Sequence, residues 1–137
     1  MTHTRLVLVV AAALVDARGR VLIAQRPEHK SMAGLWEFPG GKVEPGERPE
    51  AALARELREE LDVIIETDAL APRAFASHAY PDFHLLMPLY VTRRWAGEPV
   101  AREHSALAWA LPAELSRYPM PPADLPLIQS LLAETAS

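Results

Sequence analysis

Apolar residues in this chain come in short runs punctuated by turn residues, with helical spacing in two places. Leu6 to Val15 is the first run, and Val7, Val9 and Val10 within it favour a strand. Asp16-Ala17-Arg18-Gly19 supplies a turn, and Val21 to Arg26 reads as a second strand paired with the first. Pro27 to Ala33 is a polar loop. Leu35-Trp36-Glu37-Phe38 is a short strand that Pro39-Gly40-Gly41 breaks, and Pro45-Gly46 is a turn. From about Pro49 to Leu61 the spacing becomes helical, with Leu53, Leu57 and Leu61 along one side. Arg73 to Tyr80 and His84 to Arg94 read as strands joined by the Pro81-Asp82 turn, and Ala96-Gly97-Glu98-Pro99 is another turn. Ala106 to Ala110 is a short strand, Pro112 to Leu115 starts a short helix, and Leu125, Ile128, Leu131 and Leu132 mark a second amphipathic helix. Mixed strands with one central and one terminal helix predict an α/β layered domain. With no internal repeat, low-complexity stretch or linker, a single domain over 1–137 is expected.

Composition narrows the partners. The 137 residues suffice for one domain with a real core. The net charge of −4 and the lack of a long basic run argue against a nucleic-acid polymer as partner, while leaving a nucleotide open. The absence of cysteine excludes disulfides, thiolate zinc sites and cysteine nucleophiles. Arg5 and the apolar run after it superficially resemble a signal peptide. The charged part is very short, however, and the valines and the following turn favour a strand. No apolar run reaches the roughly 18 residues of a membrane helix. A soluble cytoplasmic protein is expected, with no membrane contact and no obligate protein partner evident.

The chemistry concentrates in Gly40 to Val63, which reads GGKVEPGERPEAALARELREELDV. Glu56, Glu59 and Glu60 stand at i, i+3 and i+4, so their carboxylates share one helical face. Such like charges repel by a few tenths of a kcal/mol per pair on an exposed helix. A divalent metal would turn that cost into a binding site. Hard oxygen ligands suit Mg²⁺ or Mn²⁺, which commonly act together with substrate phosphates.

This segment resembles the Nudix box: Gly, five residues, Glu, seven residues, then Arg-Glu-apolar-any-Glu-Glu-any-Gly-apolar. Here the matching residues are Gly41, Glu47, Arg55, Glu56, Leu57, Glu59, Glu60 and Val63. Asp62 stands where the family has Gly. That position follows the helix, where a left-handed residue is often needed, and Asp is among the more tolerant substitutes.

The resemblance continues outside the box, to the MutT-type nucleoside triphosphate pyrophosphohydrolases. It rests on Gln25-Arg26-Pro27, Trp36 to Gly41, Trp95 to Pro99, Arg102-Glu103 and Pro121 to Asp124. It implies the Nudix α/β/α sandwich with a mixed β-sheet. It also implies Mg²⁺-dependent release of pyrophosphate and a nucleoside monophosphate, by attack of a metal-activated water on phosphorus. Mn²⁺ is a substitute metal. The metal ligands it implies are the Gly40 carbonyl, Glu56, Glu59 and Glu60, with Glu103 as a further ligand or general base. Glu56, Glu59 and Glu103 form the catalytic set, and Arg55 anchors Glu47. Arg26 is implied on the phosphate side, and Glu37, Phe38 and Pro39 along the base pocket. Asp124 occupies the place where enzymes specific for 8-oxoguanine nucleotides carry Asn. An ionised Asp only accepts hydrogen bonds, which suits the exocyclic amine of cytosine and does not exclude 8-oxo-dGTP. Asp124 with Pro126 also reads as an N-cap for the last helix. A non-catalytic base-recognition module and a hydrolase of another diphosphate, such as ADP-ribose, are the alternatives. The intact box argues against the first and the match outside the box against the second.

Overall fold

Strand β1 (Arg5–Leu14) reads as a continuous apolar run because both its faces are covered. The computed structural model describes residues 5–136. Successive strand side chains point to opposite faces. Val10, Ala12 and Leu14 accordingly pack with Leu53, Leu57 and Leu61 of helix α1 (Pro49–Leu61). Ala11, Ala13 and Val15 join the opposite cluster, with Leu127, Ile128 and Leu131 of helix α2 (Leu125–Ala136). The molecule is a mixed α/β sandwich, with α1 against one face of β1 and the cluster that contains α2 on the other.

The remaining strands are β2 (Val21–Gln25), β3 (Trp36–Glu37), β4 (Gly40–Lys42), β5 (Ala71–Ala79), β6 (Phe83–Thr92) and β7 (Ala106–Ala110). One sheet has the order β4-β1-β6-β5 and the other β3-β2-β7. Among the described residues only the β1–β6 pair is parallel. The expected pairing of β1 with β2 is therefore corrected: the two runs share only the Val15–Val21 bridge. Both edges of β1 are already taken, by β4 and β6, so its sequence neighbour pairs in the other sheet. The expected break at Pro39-Gly40-Gly41 is half right. It ends β3 and at once begins β4, whose Gly40, Gly41 and Lys42 pair with Ala11, Val10 and Val9.

Helix α1 has the predicted bounds, with Pro49 at its first position. Asp62 ends it in the left-handed conformation (φ 60°, ψ 33°), and its N–H donates to the Arg58 carbonyl at 3.1 Å. In α2 the buried stripe is Leu127, Ile128 and Leu131. Leu125 and Leu132 are 54% and 37% exposed, contrary to expectation, since they fall beyond the Ile128 edge of that stripe on the helical wheel. Among the described residues, no helix is long and apolar enough to cross a membrane.

The left-handed Asp62 generates a stability test. A non-glycine residue in that conformation costs roughly 1–2 kcal/mol, and Gly at this cap position removes the strain. Asp62→Gly also gives up its 3.4 Å pair with Arg102, which is exposed on both sides and contributes little. Asp62→Gly is expected to raise stability by about 0.5–1 kcal/mol, or a few degrees in thermal midpoint. Calorimetry checks this; an unchanged or lower midpoint would show that the carboxylate itself holds the turn.

Candidate active site

β1, β4, α1, the Pro27–Gly34 loop and the turn at Asp124 enclose a cleft of about 440 Å³, within the range of small-molecule sites. Its acidic end is built by α1 and β4. Glu56 and Glu60 line it, and Glu103 reaches it from the segment before β7. Glu60 is 8% exposed, and its Oε2 is buried with no hydrogen-bond partner. Burial, then the charges of Glu56, Glu37 and Glu103, push its carboxyl up to about 8, against the opposing hydrogen bond of the Gly40 amide. Burial also raises Glu56, which Arg55 partly offsets.

Arg55 organises the approach to this end. Its Nε and Nη2 hold Glu47 Oε2 and Oε1 at 2.8 and 2.9 Å, while Nη1 reaches Glu56 at 3.0 Å and Nη2 the Lys42 carbonyl at 3.3 Å. The fork draws the Glu47 carboxyl down to about 2. The loop before α1 is thereby fastened to the helix. Gly41 then lies so close to Glu56 that an added Cβ would overlap the carboxylate. At Gly40 the same atom would overlap the backbone of Val10.

The other end carries Arg26, Glu37 and Asp124. Arg26 Nη1 donates to Glu37 Oε1 at 2.8 Å, and its Nε donates to the Ser31 carbonyl at 2.7 Å. His104 Nε2 lies 2.9 Å from Glu37 Oε2. Burial would raise Glu37 and is the largest single effect on it. The hydrogen bonds of His104 and Arg26 together outweigh it and leave the carboxyl below its ordinary value. Asp124 is 4% exposed, and its Oδ2 has no partner. Burial and then the Glu37 charge raise it to about 7, against Arg26. Phe38 is buried in the core and also touches the cleft.

The structure brings Arg26, Glu37, Phe38, Gly40, Glu56, Glu60, Glu103 and Asp124 to one cleft, and two predicted residues stand apart. Glu59 has a 56% exposed side chain joined to Arg55 at 3.5 Å and does not line the cleft. Its place on α1 turns it away from β4. Pro39 is buried outside the lining, and its carbonyl accepts from the Ala12 N–H at 2.9 Å, because β4 pairs with β1 there. The cap reading of Asp124 is corrected too. The Pro122–Asp124 turn is already helical, with its cap position at Pro121, and Asp124 sits inside that turn. Sequence reasoning missed His104, and also Tyr80, Leu85 and Met87, which add apolar wall. A histidine directly after the candidate Glu103 was the one signal available.

The donor set fits a hard divalent cation. Glu60 offers a buried oxygen with no protein partner, beside Glu56, the Gly40 backbone and Glu103. Among the described residues no three acidic or histidine side chains form a finished cage, so the fit lies in the donors and not in completed coordination.

Known proteins resemble this chain over most of its length. The NUDIX domain profile matches residues 10–130. The chain is 41% identical to the CTP pyrophosphohydrolase of Escherichia coli (strain K12), over 93% of each chain. It is 36% identical to the 8-oxo-dGTP diphosphatase of Haemophilus influenzae, over 96% of this chain and 95% of that one. The crystal structure of a MutT NUDIX hydrolase from Burkholderia pseudomallei superposes with a TM-score of 0.82 at 30% identity, covering 92% of this chain and 98% of that one.

Two tests follow from the geometry. At Gly41 the obstacle is a movable carboxylate, whereas at Gly40 it is strand backbone. Gly41→Ala is expected to keep the fold and weaken Mn²⁺ binding by about tenfold or more, read by calorimetric titration. Gly40→Ala is expected to lose about 2–3 kcal/mol of stability by overpacking. Equal effects of the two would refute this division. The second test is pH. The carboxyls of Glu60 and Asp124 stand at about 8 and about 7, above the roughly 4 of an unfolded chain. A raised carboxyl stabilises the fold below its unfolded value and loses that contribution as pH rises through the folded one. In EDTA the thermal midpoint is expected to fall between about pH 5 and pH 8, and less steeply in Glu60→Gln and Asp124→Asn. Parallel slopes in all three proteins would mean that these carboxyls ionise normally.

Proposed function

This chain belongs to the NUDIX domain family, and from that premise we propose that it is a MutT-like nucleoside triphosphate pyrophosphohydrolase, releasing a nucleoside monophosphate and pyrophosphate. A single Nudix domain spans 1–137 in this reading, and a cytoplasmic location suits its substrate. The observation that carries it is the orphaned Glu60 oxygen, set beside Glu56 and Glu103 in a cleft whose far end holds Arg26 and Asp124.

Nudix hydrolases generally use a divalent metal, and Mg²⁺ is the ion proposed here. When bound, it neutralises charge on the phosphate oxygens and acidifies water. Glu56, Glu60, Glu103 and the Gly40 carbonyl would hold it. Glu103, exposed and lining the cleft, is in this reading the group that accepts the proton from the attacking water. Glu59 contributes through its charge and its contact with Arg55. Arg26, which holds Glu37 at the end opposite the acidic cluster, is read as a substrate contact on the base side and not on the phosphate side that the resemblance implies. The box glutamates are all retained, which disfavours a purely base-recognising module.

At the base end, Asp124 Oδ2 lacks a partner in a buried position, and a hydrogen-bond donor on the base would supply one. An amine donor favours the ionised form. This supports a cytidine-type triphosphate as substrate, as in the E. coli relative, with 8-oxo-dGTP as the competitor.

A panel of canonical and modified triphosphates, assayed for pyrophosphate release, tests the reading. Turnover is expected with Mg²⁺ or Mn²⁺ and is expected to vanish in EDTA. Asp124→Asn is expected to weaken cytidine substrates by roughly 1–3 kcal/mol in kcat/KM and to spare or improve 8-oxo-dGTP. Full turnover without metal would remove the mechanism. An unchanged ratio in Asp124→Asn would place base recognition elsewhere.

A further inference from the structure

The segment Arg102–Ser105 is tied down at both ends. The Arg102 N–H donates to the Glu60 carbonyl at 3.1 Å, and the Ser105 N–H donates to the Gln25 carbonyl at 3.0 Å. One tie is on α1 and the other at the end of β2. Between them, Glu103 is exposed at the cleft and His104 turns inward, its side chain 4% exposed. The imidazole Nε2 meets Glu37 Oε2 at 2.9 Å, across 67 residues of chain. Glu37 is an ion and can only accept, so Nε2 carries the hydrogen.

The other ring nitrogen, Nδ1, is buried and has no partner. An apolar side chain of similar volume would fill the same space without a stranded nitrogen. What the imidazole adds is the bond to Glu37. With Arg26 on Oε1 and His104 on Oε2, both oxygens of Glu37 are fixed, and each keeps a free lone pair for a donor in the cleft. The His104 backbone belongs to the same short tether as Glu103.

We propose that His104 is a positioning residue that orients Glu37 as a base-reading acceptor and joins it mechanically to the segment carrying Glu103. Nucleotide selection and the placement of Glu103 then depend on one buried hydrogen bond. The inference rests on the pyrophosphohydrolase reading and adds to it the residue that links its two ends.

The test compares wild type with His104→Leu, His104→Asn and His104→Gln. Leu removes the donor and Asn is too short to deliver one, whereas Gln carries an N–H to about the Nε2 position. In the Leu and Asn variants, kcat/KM for the preferred triphosphate is expected to fall tenfold or more, mostly in kcat. The CTP to 8-oxo-dGTP preference is expected to shrink with it. Gln is expected to recover most of both. In a Glu37→Gln background, His104→Leu is expected to add little, because the shared bond is already gone. A preference unchanged in both Leu and Asn, or losses that multiply with those of Glu37→Gln, would overturn the proposal and leave His104 as core filling. Thermal shifts with CMP and with 8-oxo-dGMP provide a readout that needs no turnover. Wild type that discriminates the two monophosphates but turns over no triphosphate would remove the functional reading alone. Loss of that discrimination in the Leu and Asn variants would still support His104, and discrimination equal to wild type would overturn it.

Discussion

The Arg55 guanidinium is the contact on which the acidic end of the cleft depends. Its fork closes on both oxygens of Glu47 and extends to Glu56 and the Lys42 carbonyl. An isolated ion pair with this exposure contributes little stability. This one matters through geometry. It sets the loop after β4 against α1, which brings Gly41 up to Glu56 and leaves β4 free to pair with β1. It also sets a permanent cation between Glu56 and Glu59 on the helix face that carries them.

The cleft buries charge in two different ways. Glu37 is partly buried, yet it stays ionised because two donors hold its two oxygens. Glu60 and Asp124 are more deeply buried, and each keeps an oxygen with no partner. A buried polar atom without a hydrogen bond is costly, and the fold leaves that cost standing at two points within one cleft. A cation at the first point and a base donor at the second would each relieve it. Glu37 is therefore preorganised, while Glu60 at the acidic end and Asp124 beside Glu37 are completed by ligands.

The distal segment before β7 closes the arrangement. It is bonded to α1 and to β2 on either side of Glu103 and His104, so its position follows that of the sandwich core. Glu103 thus stands on a short tether with fixed ends, a better mount for a group that must meet a phosphate than a long free loop.

The sequence by itself determined the parts governed by short-range spacing. Helix α1 and its leucine stripe follow from a 3.6-residue period, while the left-handed Asp62 and the Arg55–Glu47 pair, contacts within one loop and helix, were legible through the resemblance to the Nudix box. Most strands were legible as apolar runs between turn residues. Tertiary structure alone decided which strands became neighbours, since β1 has two edges and a run of valines does not say what fills them. It also decided that Glu59 faces away from the cleft, that Asp124 lies within a helical turn and lines the cleft instead of capping α2, and that His104 reaches Glu37. Each of these depends on burial and on partners far along the chain, and a local pattern of residue types carries neither.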